Sequence, residues 1–406
     1  MNASTFISKR IFSLSKENLS STVMRIAVAS VALGIAIMLI SIAVVIGFKH
    51  QIRDKVIGFV APVHIEMLNQ NESVEETPFA YDSTLKARLN HSFISEVHAT
   101  ANKAGLIKTD DEIHAVVLKG VDAEYNWNYI NDNLVEGEIP QYVENERSND
   151  IVVSKIISDK MQLDVGDDVR VWFVDADMKA RGRKFNVKGV YETGLSECDE
   201  RFVYCDLNQV RRLNGWADDE VGHLEVWVND EMETTIANEL IYYSIPTELV
   251  SFSAMQSYPQ IFDWLELQDM NVAIIIALML LVAGITIISM LLIIILEKTS
   301  TIGLLKSMGA DNGLIRRIFL KRSCHILLIG MLIGNAVGIG LCLLQKYTNL
   351  ISLSPESYYL SSVPIELNWF YIVALNVGTS LLWVLMLLLP TILINNIRPS
   401  KSIRFE

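Results

Sequence analysis

The sequence predicts a membrane protein of four transmembrane α-helices, with a large α+β domain inserted between helices 1 and 2. Three observations predict it. Residues 26–48, 270–296, 323–345 and 367–397 carry no Asp, Glu, Lys or Arg, and each run is longer than the about 20 apolar residues that cross a bilayer. Charge is also divided. Phe48 to Met270 holds 41 of the 47 acidic residues and 20 of the 34 basic ones, a block of net charge −21 inside a remainder of +8. Finally, basic residues cluster at Lys9, Arg10, Lys16 and Arg25, again at Lys298, Lys306, Arg316, Arg317, Lys321 and Arg322, and again at Arg398, Lys401 and Arg404. By the positive-inside rule these three segments are cytoplasmic, which leaves the acidic block and the Lys-free, Arg-free stretch Tyr347 to Glu366 outside. An acidic outer surface has the wrong sign for phosphate, so nucleic acid is excluded as a partner.

These limits divide the chain. Residues 1–24 form a cytoplasmic segment in which Ile7, Ile11 and Leu14, with Phe6 alongside, mark an amphipathic helix on the membrane surface, against a disordered basic leader as the alternative. The first span is 25–48. Its apolar stretch is too long for a cleaved signal peptide and no small-residue site closes it. The domain at 49–269 is large enough for its own core. Within it VHIEML and IHAVVLKGV read as strands, DSTLKARLNHSFISEVHATANKAG as a helix closed by Gly105, and IVVSKIISDKMQLDVGDDVRVWFV as strand, helix, turn and strand. The runs VRVWFV and FNVKGVY predict a β-hairpin from Val169 to Val190 around a charged tip. Cys198 and Cys205 leave a disulfide open, since reach depends on turn geometry. The remaining limits are 270–296 for the second span, 297–322 for a cytoplasmic segment, 323–345 for the third span, 346–366 for a short outer loop, 367–394 for the fourth span and 395–406 for the tail.

The stretch EKTSTIGLLKSMGADNGLIRRIFLKR carries the most information. Ile302, Leu305 and Met308 recur at helical spacing, Gly309 breaks the run, and Leu314, Ile315, Ile318 and Phe319 begin another. Two short helices broken by glycine make a protruding knob that can transmit a displacement, where a plain surface connector would absorb it. Inside the spans, Gly330, Gly334 and Gly338 recur every four residues and predict close helix packing. His325 lies near enough to Arg322 to reach the membrane surface; Asn335 and Asn376 are the other polar groups of the third and fourth spans. His50, His64, His91, His98, His114 and His223 are scattered without ligand spacing such as HExxH, so neither a metal site nor a catalytic constellation is expected.

The knob resembles the coupling segment of ABC permeases that work mechanically across the membrane (type VII): the lipoprotein-releasing (Lol-type), macrolide-exporter and cell-division permeases. Glu297, Lys298, Ile302, Gly303, Leu304, Leu305, Lys306, Gly309 and Ala310 meet the family pattern, with Met308 beside them; Thr301 stands where the family usually has Glu. AVVIGFKHQIRDKVIGFVAPVHI, WLELQDMNVAIIIALMLLVAGITIISML, SYYLSSVPIEL and PTILINNIRPSKSIRFE are similar to the lipoprotein-releasing branch.

That resemblance implies a bacterial inner-membrane permease with both termini cytoplasmic and its large domain periplasmic. Its implied partners are a cytoplasmic ABC ATPase dimer, a second permease (the same chain or a homologue), a lipoprotein substrate, a periplasmic carrier and membrane lipids. The chain carries no GxxxxGKS or GxxxxGKT string and only a short segment before its first span, so no cofactor is expected in it; ATP and Mg belong to the partner ATPase and the chain itself is not an enzyme. The resemblance further implies an acyl-chain cleft at the outer ends of the first two spans, for which Val44, Val45, Ile46, Phe48, Ile274 and Ile275 are candidates; ordinary lipid packing explains the same residues. Asp177, Met178, Lys179 and Arg181 of the hairpin sit where relatives bind the carrier, although this tip is shorter, lacks proline and reads equally as a solvated turn. Two rival functions are a macrolide-exporter-like efflux permease, which normally carries its ATPase on the same chain, and a signalling permease that activates cell-wall hydrolases, which usually has a smaller outer domain.

Overall fold

The computed structural model describes residues 19–68, 76–109, 112–144, 146–174, 180–229, 233–354 and 358–391. The predicted helix within residues 1–18 lies outside them. The described residues divide into a helical unit (19–49, 264–352 and 362–391) and a sheet unit (within 50–263 and 353–361).

Among the described residues, four helices are long and apolar enough to cross a membrane: α1 Leu19–Val60, Pro259–Glu297, Asn312–Thr348 and Trp369–Thr391. The first three outrun their charge-free runs. At 1.5 Å per residue the 42 residues of α1 extend about 63 Å, roughly twice the about 30 Å hydrocarbon core. Lys49, Arg53, Asp54 and Lys55 interrupt the hydropathy of α1 without interrupting its hydrogen bonding, since all are tolerable helix residues.

Among the described residues the sheet unit is built on ten strands: β1 Val63–Met67, β3 Ile94–Lys108, β4 Ile113–Val121, β5 Leu134–Gly137, β6 Asp150–Ser154, β7 Asp168–Val174, β8 Ala180–Tyr191, β9 Phe202–Asp206, β11 His223–Val228 and β12 Leu249–Ser253. The order is β12-β1-β11-β3-β4-β9-β6-β8-β5, with β7 pairing β3 and β8, while the short strands β2 Phe79–Ala80 and β10 Glu220–Val221 pair with each other. Alternation along β1, β11, β3 and β4 sends Val63, Ile65, Leu224, Val226, Ala99, Ala101 and Leu118 into one apolar core and the intervening polar residues to the opposite face. The predicted hairpin is present as β7 and β8, in register from Asp168↔Asn186 to Val174↔Ala180.

Within the sheet unit one element is corrected. The helix expected from Asp82 to Gly105 stops early: α2 is Ser83–Arg88, with Asp82 Oδ1 accepting from Leu85 N–H at 2.8 Å, and the chain then becomes β3. Leu85 and Leu89 keep helical spacing, but beyond them Val97, Ala99 and Ala101 alternate with His98, Thr100 and Asn102. Pairing with β11 on one edge and β4 on the other fixes that period of two.

The disulfide left open is not formed. Cys198 and Cys205 are both buried free thiols, and Cys205 sits in the β4–β9 ladder opposite Gly120.

Candidate functional site

In the helical unit, α3 (Thr299–Ser307) follows the long helix Pro259–Glu297 after a single junction residue, Lys298, which pairs with Glu297 at 3.2 Å. Thr299 Oγ1 donates back to the carbonyls of Ile295 and Leu296, at 3.1 and 2.6 Å. At its other end Gly309 takes φ +90°, a left-handed conformation that glycine adopts without the Cβ penalty. The turn it makes lets the amides of Met308, Gly309 and Ala310 donate to Leu304, Lys306 and Leu305. Asp311 then caps the next helix, its carboxylate accepting from Gly313 N–H at 3.1 Å and Leu314 N–H at 3.2 Å.

That next helix is not a second short one, as the break at Gly309 suggested. It is the start of Asn312–Thr348, continuous with the third span, because no helix breaker separates the amphipathic run from the apolar one. Ile302 is buried with Ile315 and Phe319 in the helical core, and Gly303 is buried beside it. Leu304 and Met308, one helical turn apart, face outward and are 56% and 77% exposed. Leu305, Lys306 and Ala310 are half-buried. The expected coupling residues thus separate into an inner face that fastens the knob and an outer apolar pair available to a partner.

The cleft candidates are distributed. Val44 packs against the helical core, Phe48 meets Trp264 edge-on with ring centroids 6.3 Å apart, and neighbouring Lys49 pairs with Asp269. Val45 and Ile275 are half-buried and Ile274 is exposed. Ile46 instead lines a shallow groove with Leu39, Ile42, Leu367 and Tyr371. Sequence reasoning missed the fastening of the adjacent loop. Glu366 N–H donates to the Ala43 carbonyl at 3.1 Å, and a Cβ on Gly47 would lie 2.9 Å from the Pro364 oxygen. Gln345, buried at the end of the third span, donates to the carbonyls of Ile351 and Val363 and accepts from Ile351 N–H. The signal for it was the one amide in an otherwise apolar helix end.

Of the hairpin candidates, Asp177, Met178 and Lys179 lie outside the described residues, and Arg181 stands exposed on β8 opposite Phe173.

Comparison with known proteins decides the family. The model of the MacB-like periplasmic core domain matches residues 25–241, and that of the FtsX-like permease C-terminal region matches residues 273–399. The chain belongs to the FtsX-like permeases with a MacB-like periplasmic core domain. The permease is therefore a multi-pass inner-membrane protein with a periplasmic domain. It is 21% identical over 99% of both chains to the lipoprotein-releasing system transmembrane protein LolE of Haemophilus influenzae. It is also 21% identical, over 95% of both chains, to LolC of Neisseria meningitidis serogroup B. Among solved structures, the periplasmic region of MacB from Actinobacillus actinomycetemcomitans aligns at 14% identity, covering 52% of the permease and 97% of that chain, with a TM-score of 0.35.

Proposed function

We propose that the permease is the membrane subunit of an ATP-driven ABC complex that extracts lipoproteins from the outer leaflet of the inner membrane and releases them to a periplasmic carrier. The observation that carries this reading is the end-to-end likeness to LolE, spans, outer domain and coupling segment together. In this reading both termini and the knob are cytoplasmic, a separate ATPase dimer holds ATP and Mg, and a second permease completes the complex. Leu304 and Met308 are the contacts that take up ATPase motion, and the unbroken helix Asn312–Thr348 carries it into the membrane. The outer ends of the first two spans, with Val44, Val45, Ile46, Phe48, Ile274 and Ile275 as candidates, receive acyl chains. Extraction costs about 0.8 kcal/mol per CH₂ removed from the bilayer, so a shielding apolar surface and a coupled energy source are both required.

Depletion of the permease in its own cell, followed by mass spectrometry of the inner membrane, tests the reading. Mature acylated lipoproteins should accumulate there. Unchanged lipoprotein sorting with altered drug sensitivity or cell separation would transfer the function to efflux or to signalling.

A further inference from the structure

The polar face of the periplasmic sheet gathers residues that lie far apart in sequence. Antiparallel pairing of β1 with β11 sets His64 opposite Glu225 and Glu66 opposite His223. These side chains share a cavity of about 610 Å³ with Lys119 and Glu76. His223 Nδ1 is 2.7 Å from Glu76 Oε1, and Glu76 is itself held by the backbone and side-chain amides of Asn102, at 2.7 and 2.9 Å. This bond leaves Nε2 of His223 directed toward Glu225, 3.9 Å from Oε1. The buried Nε2 of His64 has no hydrogen-bond partner. Glu225 is 1% exposed. Lys119 Nζ lies 2.7 Å from its Oε1, yet neither carboxylate oxygen receives an aligned hydrogen bond.

We propose that His64, His223 and Glu225 form a binding site for a zinc-type divalent cation in the periplasmic domain. One donor atom from each lies within 4.8 Å of the other two. Donors on a common tetrahedral zinc sit about 3.4 Å apart, so capture draws each inward by less than about 1 Å. Two imidazoles and one carboxylate are a zinc donor set that leaves a fourth position for water. Glu76 acts on His223 as the outer carboxylate that fixes the ring and raises its basicity. Charge agrees, because Glu66 and Glu76 add two carboxylates beside the Lys119–Glu225 ion pair in this cavity. Histidine spacing along the chain gave no hint of the site. Strand register creates it.

The test uses the full-length permease in detergent micelles, stripped with a chelator and titrated with zinc alone, with bound metal counted by elemental mass spectrometry. One zinc per chain is expected, together with a tetrahedral cobalt spectrum on substitution. His64→Gln and His223→Gln should each lower zinc affinity by at least about 100-fold, and Glu76→Gln by about 10–100-fold. Circular dichroism of the stripped variants checks that they fold. Absence of saturable zinc binding by the folded wild type overturns the proposal, whatever the variants do. So does wild-type zinc affinity in both His64→Gln and His223→Gln, which would place the metal elsewhere.

Discussion

Asn335 and Asn376 exchange both side-chain amide hydrogen bonds between the third and fourth membrane helices. Asn335 Nδ2 donates to Asn376 Oδ1 at 2.7 Å, and Asn376 Nδ2 returns the bond at 2.9 Å. Each amide also donates to its own helix, to the carbonyls of Met331 and Ile372, both at 2.8 Å. An amide facing hydrocarbon must find such partners, and two amides can satisfy one another where one cannot. Asn335→Leu should therefore lower thermal stability in micelles by about 1–2 kcal/mol, with a coupling to Asn376→Leu of about 0.6–1.7 kcal/mol in a double-mutant cycle. The double variant should fall short of the summed losses, because it leaves no orphaned amide. Simple additivity would show that the pair is not coupled.

The glycine stripe of the third span offers an internal control. A Cβ on Gly334 would meet the Ala32 carbonyl oxygen at 2.6 Å and Ile35 Cβ at 2.8 Å, whereas one on Gly340 meets nothing within 4 Å. Gly334→Ala should destabilise the helical unit by about 1–3 kcal/mol by forcing α1 away. In the same helix, Gly340→Ala should be neutral or stabilising by up to about 1 kcal/mol, from helix propensity alone. Equal effects in a melting comparison would mean that close packing against α1 is not what the stripe provides.

How far this fold is legible in the sequence depends on the range of the information. Charge-free runs locate the spans, since composition alone decides them. They do not locate helix ends, because Lys49, Arg53 and Lys55 are good helix residues and α1 continues to Val60. Leu85 and Leu89 carried a helical reading into residues whose period is set by β4 and β11, partners that local pattern cannot supply. For the knob, spacing and Gly309 reveal a break, but not that Met308 is exposed while Ile302 is buried. Gln345 and the His64–His223 pair act through contacts fixed only after folding.

Cys198 and Cys205 sit in a compartment where disulfides persist, yet both are buried and unpaired. Burial pushes the Cys198 thiol up to about 12, with the neighbouring Asp199 carboxylate acting in the same direction. Burial likewise holds the Cys205 thiol well above its ordinary value. Since the thiolate is the nucleophile, neither should be alkylated by a membrane-impermeant maleimide at neutral pH in intact spheroplasts, and both should react after denaturation. Peptide mass spectrometry reads the outcome, and rapid labelling of either native thiol would contradict the burial.

The knob supplies the last prediction, because its two faces should fail in different ways. Gly303 is buried beside Ile302, so Gly303→Asp places a carboxylate in an apolar contact and should reduce the amount of folded permease as well as its function. Met308 is 77% exposed, and Met308→Asp leaves the buried contacts of Ile302 with Ile315 and Phe319 intact. That variant should accumulate and melt as the wild type does. If Leu304 and Met308 are the apolar contacts to the proposed ATPase, losing one removes about 1.5–3 kcal/mol of burial, which corresponds to about 10–100-fold in affinity. Met308→Asp should accordingly lose co-purifying ATPase and lipoprotein release together while remaining in the membrane. Retention of both by a normally folded Met308→Asp variant would remove the outer face of α3 from the coupling mechanism and leave the inner face as packing alone.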